Sequence, residues 1–143
     1  MDIFSPYIIA AALAWLVAQG AKYLVASIRG RSFKNLRQLY LSGSMPSAHS
    51  ASVVALVMVI GVRDGGDSGL FGLAILFAAI VMYDAVMVRR SSGEQGKALT
   101  ELIKEKDSKV ALPRVAKGHT PQEVMVGALV GMVVGVVVAL ATL

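Results

Sequence analysis

The chain has 143 residues, 56% of them hydrophobic, with no cysteine, a mean hydropathy of +0.68 and a formal charge of +5. That is too apolar for a soluble domain of this length, and the missing thiols exclude a disulfide framework and a thiolate metal site. The cations fall between apolar runs, which directs them toward lipid headgroups and membrane topology and away from nucleic acid.

The pattern predicts an all-α polytopic membrane bundle, one transmembrane domain over residues 1–143, with spans at about 4–28, 45–62, 70–88 and 124–143. Met1-Asp2 lacks a basic n-region, so the first apolar run is expected to stay as a helix and not to be cleaved as a leader. Lys22 and Arg29, seven residues apart near the end of that span, project from nearly one helix face. They read either as snorkelling anchors or as two arms of an anion clamp.

The stretch Ser42-Gly43-Ser44-Met45-Pro46-Ser47-Ala48-His49 leads into the second span. Ser44 is expected as its N-cap with Pro46 in the first turn, which would aim Ser47 and His49 at whatever the free N–H groups hold. Residues 61–69 read as a tight polar turn. The third span carries Asp84 near its end, a carboxylate that is costly at that depth unless paired, and closes on Arg89 and Arg90. Leu99, Leu102 and Ile103 then share a helical stripe, expected as an amphipathic helix on the membrane surface or across the bundle. Thr120, Pro121 and Glu123 form a capping box that starts the fourth span. Gly127, Gly131 and Gly135 within it give two overlapping GxxxG spacings, which allow close helix approach within the protomer or in a homodimer.

Four alternating spans place 13 of the 14 Lys and Arg residues on one side, with Arg63 alone opposite. The positive-inside rule makes the cationic side cytoplasmic, in a multi-pass protein of the cell membrane. The same alternation brings Lys22, Arg29, Ser47, His49, Asp84, Arg89, Arg90, His119 and Glu123 to one bilayer surface. Such a set suits a highly charged anion beside lipid. Phosphate ester cleavage needs cations on the phosphoryl oxygens, a nucleophile and an acid for the leaving alkoxide. One imidazole can attack phosphorus while the other protonates the leaving oxygen. Glu123, one turn after His119, can fix its tautomer, although the capping box makes a rival demand on that carboxylate. The surrounding cations repel a divalent metal, so neither a metal site nor a cofactor is expected.

The arrangement resembles the type 2 phosphatidic acid phosphatase and vanadium haloperoxidase superfamily, and looks closest to its divergent, compact branch. Lys22 and Arg29 have the spacing of the first motif, with Gly30 in place of proline. Pro46-Ser47-Ala48-His49 matches the second, Pro-Ser-Gly-His, with alanine for glycine. Arg89 or Arg90, His119 and Glu123 stand for the third, across a much longer gap than usual and with Glu for Asp. The resemblance implies a metal-independent lipid-phosphate or isoprenoid-diphosphate phosphatase working through phosphohistidine. By match, His119 is the nucleophile, His49 the general acid and Glu123 the residue that orients His119. Lys22, Arg29, Ser47 and Arg89 or Arg90 bind phosphate. Asp84 has no counterpart in the motifs and is expected to pair with a clamp arginine. The alternative is a non-enzymatic membrane module that binds phospholipid headgroups or a partner protein.

Overall fold

The structure is a computed structural model that describes residues 5–28, 45–106, 108, 110–113, 115 and 118–143. It is an all-helical bundle: α1 (Pro6–Ile28), α2 (Ala48–Arg63), α3 (Gly69–Tyr83), α4 (Arg89–Glu105) and α5 (Pro121–Ala141). A π-turn over Asp84–Val88 joins α3 to α4 without a break. α1, the joined α3–α4 helix and α5 are long and apolar enough to cross a membrane; α2 is a shorter apolar helix of 16 residues. At 1.5 Å per residue α2 is about 24 Å long, less than the hydrocarbon thickness of about 30 Å. It can be short because it is the central helix, packed on α1, α3 and α5.

Small residues set that packing. Ala10, Ala14 and Ala18 recur every four residues on α1 and are fully buried, facing Ala48, Ala51, Ala55 and Val59 of α2. On α5, a Cβ built on Gly127, Gly131 or Gly135 would lie 2.3, 2.2 or 2.6 Å from the carbonyl oxygen of Ser47, Ala51 or Ala55. Backbone meets backbone there, so only glycine fits. Of the two expected uses of this spacing, the structure shows the one within the protomer: the three glycines are covered by α2 of their own chain.

The far end is tied by polar contacts. Tyr7 at the start of α1 donates to Asp64 at 2.7 Å. Arg63, at the end of α2, donates to the Thr142 carbonyl and to its hydroxyl, the latter at 3.1 Å. Within the bundle the Ser52 hydroxyl donates to the Ala11 carbonyl at 3.1 Å. These pairings make α1 and α2 antiparallel and set α5 alongside α2, so the other ends of the helices share the opposite pole.

The expected amphipathic helix is present as α4, but it is not a separate element lying on the surface. It continues α3 through the π-turn, and Leu99 and Leu102 on it are exposed.

Candidate functional site

At the opposite pole the start of α2 is capped by Ser47, whose Oγ accepts the Ser50 N–H at 3.4 Å and the Ser50 hydroxyl at 3.0 Å. The expected cap at Ser44 is thus displaced to Ser47, and Pro46 precedes the helix instead of lying in its first turn. Ser44 itself is outside the described residues. Ser47 is fully buried, and its N–H donates to the Glu123 carbonyl at 3.0 Å, which binds the start of α2 to the start of α5. Ala48, where the resembled motif has glycine, is buried in the core with the α1 alanines. His49 follows, exposed on the first turn of α2.

The lead-in to α5 carries the second imidazole. Glu123 Oε2 accepts the Thr120 N–H at 3.0 Å and lies 3.2 Å from His119 Nδ1. The Thr120 hydroxyl accepts the Glu123 N–H at 3.3 Å, completing the capping box. The two demands on Glu123 therefore do not compete: one oxygen meets both. His119 is 3% exposed. Burial pushes its imidazole below the ordinary value, Glu123 opposes this, and the positive charges of Lys22 and Arg89 push the same way as burial. A neutral ring with Nδ1–H donated to Glu123 leaves Nε2 with its lone pair.

The π-turn supplies an anchor that sequence reasoning missed. In it the Arg89 N–H donates to the Asp84 carbonyl, five residues back, in place of the Ala85 carbonyl expected in an α-helix. The Ala85 carbonyl instead accepts the His119 N–H at 3.0 Å. Gly118 permits this docking, since a Cβ there would lie 2.4 Å from both the N and Cα atoms of Arg90. Further out, a Cβ on Gly96 would meet the Val115 side chain at 3.4 Å, so the chain returns along α4 before reaching His119. The long gap of the third motif is therefore an excursion out along α4 and back. Two signals pointed to it in the sequence: a charge inside an apolar run at Asp84, and a glycine directly before His119.

Arg89 Nε lies 2.6 Å from Asp84 Oδ2, which satisfies the carboxylate. Arg90 instead pairs with Glu94 at 3.2 Å on the exposed side of α4. His49 is within electrostatic reach of His119, Lys22, Arg89 and Asp84, and Lys22 of Glu123 as well. The structure thus gathers Lys22, His49, Asp84, Arg89, His119 and Glu123, and turns Arg90 away. Ser47 is adjacent but occupied as a buried cap, and Arg29 lies outside the described residues.

The profile of the divergent PAP2 family matches residues 4–134, a stretch that contains every one of these residues. The chain belongs to the divergent PAP2 family. A relative in Bacillus subtilis (strain 168), named as the uncharacterized membrane protein YuiD, is 36% identical over 116 residues, covering 68% of this chain and 72% of the relative. No solved structure matches the chain. Family membership and the three long apolar helices make this a PAP2-like membrane protein.

Proposed function

We propose that the protein is a lipid-phosphate phosphatase working at the cytoplasmic face of the cell membrane. The observation that carries the reading is the convergence of a buried, carboxylate-oriented His119 with His49, Lys22 and Arg89 at one pole of the bundle. In this mechanism Lys22 and Arg89 hold the phosphoryl oxygens, with Asp84 fixing the guanidinium. His119 Nε2 attacks phosphorus, the P–O bond to the lipid breaks, and the leaving alkoxide takes a proton from protonated His49. The covalent P–N bond is then broken by water, whose proton His49 accepts, releasing inorganic phosphate and restoring both rings. Glu123 stabilises the cationic His119 ring through Nδ1 in both steps. Support for the cytoplasmic placement comes from the sequence, in which four alternating spans assign 13 of the 14 Lys and Arg residues to the side of the two histidines. A phosphomonoester and an isoprenoid diphosphate present the same terminal phosphoryl group to this chemistry.

The test is a phosphate-release screen over lipid phosphates and isoprenoid diphosphates, with wild type and His119→Ala side by side. Release that vanadate inhibits, that chelators spare and that His119→Ala abolishes is the expected result. Undiminished release by His119→Ala overturns the assignment. One observation favours a second reading, a headgroup-binding module without turnover: Arg89 is already neutralised by Asp84 at 2.6 Å, which weakens it as an anion clamp. That reading expects phospholipid binding with no phosphorylated protein trapped on mixing with labelled substrate.

A further inference from the structure

The faces of α2 are unevenly covered. Ser47, Ala51 and Ala55 meet α5. Ser52 bonds to α1, and Gly61 abuts Phe71 of α3. At about 100° per residue, the remaining direction, opposite α5, belongs to His49, Val53, Leu56 and Ile60. α1 and α3 flank this stripe from either side and do not form a packed pair with each other among the described residues. The result is an apolar seam between α1 and α3 with α2 as its floor. It is graded along its length: His49 is exposed, Val53 and Leu56 are half-buried, and Ile60 is 4% exposed. The deep end is closed by the Tyr7–Asp64 hydrogen bond at 2.7 Å.

We propose that this seam holds the hydrocarbon chain of the phosphorylated lipid whose headgroup sits in the cationic cluster, a placement that rests on the lipid-phosphate reading of that cluster. Charge complementarity favours the occupant: the open end of the seam is His49, within electrostatic reach of Lys22 and of Arg89, the latter paired with Asp84, so an apolar chain in the seam that carries an anion at that end meets the Lys22 charge. From His49 to Ile60 the floor runs about 16 Å at the helical rise, and a chain that enters at His49 stops at Ile60, one turn before the polar far end. Val53 and Leu56 are then specificity-determining residues for long-chain over short-chain phosphate esters.

The experiment uses the full-length protein in phosphatidylcholine vesicles containing phosphatidic acid with a photoactivatable group on its acyl chain. Wild type and His119→Ala are compared with Val53→Trp and Leu56→Trp, which fill the seam, and with Leu76→Trp. Leu76 is 58% exposed on the side of α3 away from α2 and serves as the control. The expected result is cross-linking concentrated on the seam in wild type and His119→Ala alike. Either seam variant reduces it about ten-fold, the effect of a lost apolar pocket contact, and Leu76→Trp leaves it unchanged. In turnover, the seam variants raise KM for the long-chain lipid and leave a soluble short-chain phosphate monoester unaffected. Label spread evenly over all lipid-facing helices, or unaffected by both seam variants, overturns the seam. Label in the seam without any phosphate release leaves the seam standing and overturns the phosphatase reading alone.

Discussion

Gly131→Ala puts the small-residue packing of α2 and α5 to its sharpest test. The new Cβ would stand 2.2 Å from the Ala51 carbonyl oxygen and 2.9 Å from its carbonyl carbon and Cα, where real contacts do not fall below 3.0 Å. Both partners are helix backbone and cannot rotate aside, so α5 must withdraw by at least about 0.8 Å. A gap of that size forfeits roughly a quarter to a half of each dispersion contact along the seam with α2. The same withdrawal loosens the neighbouring contacts at Gly127 and Gly135. Overpacking of this kind costs about 1–3 kcal/mol, offset by the helix preference for alanine over glycine, about 0.8–1.0 kcal/mol. The expected net loss is up to about 2 kcal/mol. Gly72→Ala is the control: nothing lies within 4 Å of its added Cβ, so only the favourable propensity change remains. Thermal unfolding in detergent micelles, followed by far-UV circular dichroism, should place Gly131→Ala below wild type and Gly72→Ala at or above it. A Gly131→Ala protein as stable as Gly72→Ala would refute the backbone-contact account.

Gly118→Ala should separate activity from stability. Its Cβ would meet the Arg90 backbone at 2.4 Å, so the loop must lift and strain the bond from the His119 N–H to Ala85. A nucleophile misplaced by about 1 Å costs about 100-fold in rate, and phosphate release should fall by that order while the unfolding midpoint moves little. Thr120→Ala removes an N-cap and should cost about 1 kcal/mol of stability; it takes away the hydroxyl that accepts the Glu123 N–H and so loosens the turn that positions Glu123 Oε2, and the fall in turnover should exceed that of a Thr→Ala change remote from the site such as Thr100→Ala. The pH dependence follows from His119. Its folded imidazole titrates below the ordinary value, so the unfolded chain binds more protons between the two values and stability falls as pH drops through that window. Unfolding midpoints compared at about pH 7 and about pH 5 should fall further for wild type than for His119→Asn, with the window opening near the ordinary imidazole value of about 6.5.

Much of the bundle was legible from local pattern. Runs of apolar residues long enough to cross a bilayer mark α1, α3 and α5, because a hydrocarbon environment leaves no other way to satisfy the backbone. The capping box at Thr120 and Glu123 was read correctly, because it is a contact between residues three apart. The start of α2 was misplaced by three residues: Ser44 and Ser47 are both acceptable caps locally, and the choice of Ser47 depends on its N–H reaching the Glu123 carbonyl from a distant helix. The glycine spacing of α5 signalled close approach but was silent on the partner, which is α2 of the same chain.

By itself, then, the sequence determined which segments are helices, that they lie in a membrane, and, through strict alternation, that both histidines reach one pole. Those properties depend on hydropathy, length and short-range capping, all carried by neighbouring residues. Only the tertiary structure decided that Arg89 and not Arg90 turns inward, that the chain after α4 doubles back to His119, and that a carbonyl released by the π-turn receives it. Each of these is a contact between residues far apart in the chain, set by backbone geometry at Ala85 and Gly118 that no periodicity in the residues encodes.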